Sequence, residues 1–165
     1  MIAIAAVDSN WGIGHKNRLL VKIPADMRRF QELTTGNIVI MGRNTFESIG
    51  SRPLPDRTNI VISKTMTPRE DVVLLRTPEE AVQYASVFEE DEVFVIGGGR
   101  IYSALMPYCQ KAYITKIYEQ YKADTYFSNL DHNSEWQKES GGVIQVWNGI
   151  RFEFVDYVRT NIIGR

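Results

Sequence analysis

The segment 20-LVKIPADMRRF-30 places a carboxylate where a helix should be apolar. With residues set at about 100° steps from Ile23, the side chains of Met27, Phe30 and Leu33 span an arc of roughly 120°. Asp26 projects between Phe30 and Leu33, while Arg28 and Glu32 face away. Its position in the first turn after Pro24 suits an acid through the helix dipole, worth about 0.3–1 kcal/mol, but an unpaired carboxylate taken out of water costs several kcal/mol. Asp26 is therefore solvated, paired, or reserved for a ligand.

Two further stretches could do chemistry. In 93-VFVIGGGRIYSALMP-107 an apolar strand ends in Gly97, Gly98 and Gly99 and passes directly into a helix. Such glycines let a ligand approach bare backbone, and the helix start offers unpaired N–H groups to an anion. The run is not the dinucleotide fingerprint, because Tyr102 stands where the third glycine belongs, and it lacks the Gly-Lys-Ser/Thr ending of a triphosphate loop. The alternative is a tight strand-to-helix turn. The stretch 38-IVIMGRNTFESIG-50 repeats the design with Gly42 followed by Arg43, Asn44 and Thr45. Two such junctions together could hold two phosphates, as in a dinucleotide.

Around them lie cationic and hydroxyl groups. Ser63 and Lys64 end one strand and Arg76 another, so with Arg43 they could share the rim at the carboxyl ends of a sheet, a setting suited to a further phosphate. Otherwise they are solvated strand ends. The proline-stiffened 51-SRPLPDRTN-59 carries Arg52 and Arg57, where a preorganised guanidinium suits bidentate capture of a carboxylate.

The elements needed to position these groups are legible. Strand-length apolar runs recur at IAIAAVD, NIVIMG, TNIVIS, DVVLLR, EVFVIGG and KAYITKIY with helical patterns between several of them, which predicts an α/β fold with a largely parallel sheet covered on both faces. TPEE makes Thr77 an N-cap with Pro78 at the first helical position and Glu80 at the capping-box position. The tail 143-VIQVWNGIRFEFVDYV-158 sets two β-rich runs around Asn148-Gly149, predicting a hairpin and hence an antiparallel edge on a mixed sheet. Between the first strand and first helix, 9-SNWGIGHKNRLL-20 is a long loop of the kind used as a lid.

Bulk properties narrow the class. The 165 residues, 44% hydrophobic and 24% charged, suit one domain spanning 1–165 with a full core and a cleft. A net charge of −1 with scattered Lys and Arg disfavours nucleic-acid and membrane-surface partners. A lone Cys109 and two distant histidines, His15 and His132, provide neither an internal disulfide nor a metal-ligand spacing, and MIAIAAV is too short for a signal peptide. A cytoplasmic protein without a metal is expected.

These residues resemble one family along essentially the whole chain: dihydrofolate reductase of the bacterial chromosomal type. The resemblance runs through IAAVD, GIG-x-x-N, IPAD-x-x-x-F, IVIMGR-x-T-x-ESIG, RPLP-x-R-x-N, VIGGG-x-IY, YIT-x-I and DTYF. It implies a predominantly parallel eight-stranded sheet with one antiparallel edge strand and about four flanking helices. The implied reaction is reduction of 7,8-dihydrofolate by NADPH, with hydride reaching C6 and a proton reaching N5.

By the same resemblance Asp26 is the catalytic carboxylate and the only ionisable side chain in the pterin pocket, gripping the ring N3–H and 2-amino group, while a water admitted by the glycine-containing loop carries the proton to N5. Ile4, Ala5 and Ile96 line that pocket, with Met27, Phe30, Ile49 and Leu54 packing on the pterin or aminobenzoyl ring. Arg57 holds the glutamate α-carboxylate with Arg52 nearby, and Thr115 orients Asp26. For the cofactor, Ala6, Ile13 and Gly14 border the nicotinamide and its ribose. The pyrophosphate falls to the helix starts, Gly42 to Thr45 and Gly97, Gly98, Gly99, Arg100, Ile101 and Tyr102. The 2′-phosphate falls to Arg43, Ser63 and Lys64 beside Ile62, with Arg76 assisting. A lid over residues 9–23, sensitivity to 2,4-diaminopyrimidine antifolates and a monomeric state are also implied. A ribosylated pyrimidine substrate, as in related riboflavin-pathway reductases, is disfavoured by Arg57 and the IPAD helix. One departure stands out: Leu20-Val21 replaces the usual Pro-Trp, removing an indole N–H that would hold a water near Asp26. The extra Ser51 is a surface adjustment.

Overall fold

The computed structural model describes residues 1–160; the expected domain's last five positions, 161–165, lie outside the described residues. Its centre is β1 (Ile2–Val7), with β6 (Val93–Gly97) on one side and β7 (Lys111–Ile117) on the other. Beyond β6 follow β3 (Ile38–Gly42), β4 (Thr58–Ile62) and β5 (Val73–Leu75), all parallel. Beyond β7 lies β11 (Ile150–Arg159), antiparallel to it. Along the outer side of β11 run β9 (Trp136–Gly141) and β10 (Gln145–Trp147), one after the other.

The main sheet therefore has nine strands in eight lanes, because the outermost lane is broken between Gly141 and Gln145. The one lane of opposite direction is β11, which sits one place in from the edge rather than at it. Asn148 and Gly149 both have positive φ, 48° and 73°, as the predicted two-residue hairpin requires.

Period-2 alternation divides the core. Ala3, Ile38, Ile40, Ile60, Val93 and Ile114 face one cluster, covered by α3 (Pro78–Ala85) and α4 (Gly99–Leu105) through Ala81, Ala85, Tyr102 and Leu105. Ile2, Ile4, Val39, Met41, Val61 and Phe94 face the other, covered by α1 (Pro24–Thr34) and α2 (Arg43–Ser48) through Phe30, Leu33 and Phe46. Strands buried on both faces explain the near-continuous apolar runs. The Thr77 hydroxyl accepts the Glu80 N–H at 3.2 Å as expected, but the Glu80 carboxylate reaches back one residue further than a capping box, to the Arg76 N–H at 2.9 Å.

The loop after β1 holds a short strand of its own, β2 (Gly12–Gly14), paired with β8 (Thr125–Tyr126). Buried Asp8 anchors its root, one carboxylate oxygen accepting from the Asn10 and Gly12 N–H groups and the other from that of Tyr121. Among the described residues no helix is long and apolar enough to cross a membrane.

Candidate active site

A cleft opens where two central strands part. Pairing between β1 and β6 covers Ile2↔Phe94 and Ala3↔Val95 and then stops, while β1 stays paired to β7 as far as Val7↔Lys116. Past that point the Ile4 carbonyl accepts the Tyr102 hydroxyl at 2.6 Å, and Ile4, Ala5, Ala6 and Ile96 become walls of a cavity of about 280 Å³. Its location, at the carboxyl ends of parallel strands where the chain has skipped a lane, is the usual ligand position of an open α/β sheet. Helix α1 supplies Asp26, Met27 and Phe30; α2 and the segment after it supply Thr45, Ile49 and Leu54; the lid supplies Ile13 and Gly14; Gly98 and Tyr102 close the far end.

Asp26 sits half-buried in this largely apolar cavity. Its Oδ1 accepts the hydroxyl of buried Thr115 on β7 at 2.6 Å. Burial raises its pKa above the ordinary carboxylate value; the Thr115 hydrogen bond and then the Arg29 charge oppose that rise without cancelling it. The acid on the apolar face is thus paired to one donor and open to the cavity on its other side. Met27, counted by periodicity among the core-facing residues, is 42% exposed because it faces the cleft. Thr115→Val should keep the fold while removing Asp26's donor. We expect a loss of about 5–15-fold in kcat/KM, equivalent to about 1–1.5 kcal/mol, and a pH profile displaced upward in steady-state assays.

The two glycine junctions lie side by side at the ends of β3 and β6. Helices α2 and α4 both begin on glycine N-caps, Gly42 and Gly98, with no side-chain capping hydrogen bond. Gly97 has φ +115°, and a Cβ there would lie 3.0 Å from the Tyr102 ring. Gly97→Ala should therefore cost about 1–3 kcal/mol in backbone strain, read as a lowered Tm. Arg43 lies at the same rim, its Nε on Glu47 at 2.8 Å and its Nη1 on Thr65 at 3.0 Å. Lys64 is exposed nearby in sequence, and the Ser63 hydroxyl accepts the Met66 N–H at 3.0 Å, shaping the turn that carries both.

Other expected site residues have different settings. Arg76 Nη1 donates to the Ser63 and Met66 carbonyls at 3.1 and 2.8 Å, so it braces the rim's backbone. Ile62 is buried in the core, and Ile101 packs against that core and against Gly42. Asn44, Arg52 and Arg100 are exposed. Arg57 projects over the Phe30 ring at 5.8 Å with Nη2 donating to Thr35 Oγ1 at 3.2 Å, and its buried Nε has no hydrogen-bond partner.

The lid brings residues that the sequence did not flag. His15, Asn17, Arg18 and Leu19 line the cavity, as do Ser48 and Thr125. Asp26 is therefore its one Asp or Glu among the described residues, and His15, Arg18 and Tyr102 are further ionisable groups that line the cavity. The lid is held down by Asp124, which accepts the Lys16 N–H at 2.9 Å and lies 3.7 Å from His15 Nδ1. The motif DTYF contained this anchor, but an acid beside a two-residue strand carries no periodic signal. Val21 packs with Ile23, Ile117 and Phe152, consistent with its apolar character.

The sequence profile of the dihydrofolate reductase family matches residues 1–159. A dihydrofolate reductase of Haemophilus influenzae is 43% identical over 136 residues, covering 82% of each chain. A bifunctional dihydrofolate reductase-thymidylate synthase of Paramecium tetraurelia is 36% identical over 160 residues, 96% of this chain, which spans about a third (34%) of that protein's length. Among solved structures, dihydrofolate reductase from Enterococcus faecalis complexed with NADP(H) and RAB-propyl superposes with a TM-score of 0.86 at 34% identity, covering 97% of this chain and 96% of that one. A profile match over nearly the full length, on a fold that parts β1 from β6 beside an apolar-face acid, establishes that this chain belongs to the dihydrofolate reductase family.

Proposed function

We propose that the chain reduces 7,8-dihydrofolate to 5,6,7,8-tetrahydrofolate with NADPH, with Asp26 as the residue that grips the pterin. The observation that carries this reading is a half-buried carboxylate, paired to Thr115, facing an otherwise largely apolar cavity beside two glycine-started helices. A flat heterocycle with adjacent N–H donors satisfies the open side of that carboxylate, and Ile4, Ala5, Phe30, Ile49, Leu54 and Ile96 provide the walls for its rings.

The residues at the glycine junctions fit NADPH. The leading N–H groups of α2 and α4 have no side-chain caps, and a Cβ at Gly42 would crowd the Ile101 side chain at 3.0 Å, so both helix starts present bare backbone. These junctions would hold the pyrophosphate; Arg43, Ser63 and Lys64 would hold the 2′-phosphate; Ala6, Ile13 and Gly14 would border the nicotinamide end. NADPH bound there supplies the hydride delivered to pterin C6.

The protein's remaining work is positioning and proton control. Asp26 orients the pterin through N3–H and the 2-amino group, and Thr115 fixes the carboxylate rotamer. Leu19 and Asn17, which line the cavity, would limit the water that can deliver a proton to N5. Arg57, with a free buried Nε aimed from a stiff turn, takes the glutamate α-carboxylate. The same cavity suits 2,4-diaminopyrimidine inhibitors, whose amino groups present the donors Asp26 accepts. The reading carries a single domain acting as a monomer in the cytoplasm.

The test is loss of 340 nm absorbance on mixing the purified chain with NADPH and dihydrofolate, abolished by a 2,4-diaminopyrimidine. Binding of both ligands in calorimetry without any absorbance loss would leave a binder and remove the reductase.

A further inference from the structure

Helix α1 rests on a two-by-two grid formed by β7 and β11. The register pairs Tyr113 with Asp156 and Thr115 with Phe154, so these four side chains share one face of the sheet. Asp26 and Arg29, three residues apart on one side of α1, meet this grid at two points. Asp26 takes the Thr115 hydroxyl, and Arg29 Nη2 donates to Asp156 Oδ1 at 2.9 Å. The Arg29 guanidinium lies over Phe154 at 4.6 Å and Tyr113 at 5.5 Å. With side-chain exposures of 20% and 31%, the Arg29–Asp156 pair is screened less than a surface ion pair.

We propose that Arg29 is a positioning residue for the reaction: clamped by Asp156 and stacked on Phe154 and Tyr113, it fixes α1 over the sheet and sets a cation within one helical turn of Asp26, the carboxylate that grips the pterin. The proposal rests on Asp26 having that role.

Arg29 is the cation on Asp26's own helix that acts on the carboxylate, and its ion pair with Asp156 holds it in place. Facing Asp26 from β7 are Thr115 and Tyr113, from β11 Asp156, and from α4 Tyr102, whose hydroxyl is committed to Ile4. Ser140 on β9 donates to Asp156 Oδ2 at 3.4 Å, and Arg28 and Glu32 on α1 are exposed. Across the cavity the loop after β1 contributes His15 and Arg18. Desolvation drives Asp26 toward its neutral form, with the Thr115 hydrogen bond and the Arg29 charge opposing it. Asp156 partly neutralises Arg29, so the three charges form a negative–positive–negative ladder, and Arg29 and Asp156 act on Asp26 with opposite signs.

The experiment follows the Asp26 carboxyl carbon by NMR in the ligand-free protein, labelled at aspartate, with the signal assigned through D26N. R29M should move the titration midpoint up, R29K should restore it, and D156N should move it down. The pH profile of kcat/KM for dihydrofolate should move in the same directions. A merely structural Arg29 would lower Tm in R29M and R29K alike and leave the midpoint in place, overturning the proposal. Should R29M fail to fold, an unmoved midpoint in D156N overturns it and a lowered one supports it. Because the titration needs no substrate, an inactive chain with shifted midpoints refutes the reductase reading alone, and an active chain with fixed midpoints refutes Arg29's role alone.

Discussion

Asp26→Asn lowers the rate of dihydrofolate reduction at neutral pH by about 10²–10⁴-fold, the range typical of removing a positioned acid–base group. The amide is nearly isosteric and can still accept the Thr115 hydroxyl, so the cavity keeps its shape. What disappears is the anion opposite the pterin N3–H and 2-amino donors and the group that favours a proton at N5. The reaction consumes a proton, so rate falls with rising pH in both proteins. In the native enzyme the Asp26 anion opposite the pterin favours its protonation at N5, so the decline sets in at higher pH than in the variant. In the variant the proton must come from dihydrofolate already protonated in solution, and the deficit narrows as pH falls. Pre-steady-state absorbance traces between pH 5 and 9 would show this. Ordinary turnover by the variant at neutral pH would remove Asp26 from the mechanism.

The same substitution acts on stability with the opposite sign. A carboxyl whose folded pKa lies above its unfolded value of 3.8 binds its proton more tightly in the folded state, so its contribution is favourable at low pH and is lost as pH rises through the folded value. At neutral pH Asp26 is therefore a net cost. Asp26→Asn should raise Tm there, by about 2–4 °C for each kcal/mol of desolvation relieved in a chain of this size. The gain should vanish below about pH 4, where the carboxyl is protonated in both states. Differential scanning calorimetry at the two pH values measures the contrast, and a Tm lowered at neutral pH would mean that Asp26 is held by more than Thr115 and Arg29.

This conflict between burial and charge is also why the acid was visible in the sequence: a carboxylate inside an apolar arc is a local inconsistency, and such inconsistencies gather at functional sites. The parallel strands were equally legible, because burial on both faces writes unbroken apolar runs, and Pro24, Thr77 and Asn148-Gly149 mark their own turns and helix starts. Short or exposed elements left no such trace. Strands β2 and β8, three and two residues long, cannot display a period, and β9, WQKESG, is exposed after its first residue and joined to β11 through a register shift. Partners across the fold were hidden for another reason. Arg29, an arginine in the helix after Asp26, is unremarkable until the β7–β11 register sets Tyr113, Phe154 and Asp156 beneath it. Thr115 was reached through family resemblance, since nothing local to YITKI singles out its hydroxyl. Arg76 shows the converse: a cation at a strand end suggested a phosphate ligand, but the carbonyls of Ser63 and Met66 had no representation in the linear pattern.

Arg57→Met raises KM for dihydrofolate by about 10²–10³-fold and leaves kcat near its native value. Two charge-assisted hydrogen bonds at about 1.5–3 kcal/mol each set the scale, discounted because the fork acts as a unit. The geometry places the effect in KM: Arg57 stands on the stiff turn before β4, away from Asp26, and engages the far end of the substrate equally in ground and transition states. Desolvation weakens its hold on its proton, with Asp56 opposing, yet a guanidinium stays charged throughout the neutral range, so the cost of keeping Nε buried and unpaired is recovered when a carboxylate arrives. Two comparisons isolate the cause. A dihydropteroate lacking the glutamate should be reduced by native and variant enzymes with similar KM, because the group Arg57 holds is absent. Arg57→Lys should recover part of the affinity through charge alone, short of the native value because an ammonium cannot match the two oxygens with a planar fork. Thermal melting should change little, since Met keeps an apolar chain beside Phe30 and removes an unsatisfied buried donor. A KM difference that persisted with the truncated substrate would move Arg57 from the carboxylate to the pterin end of the cleft.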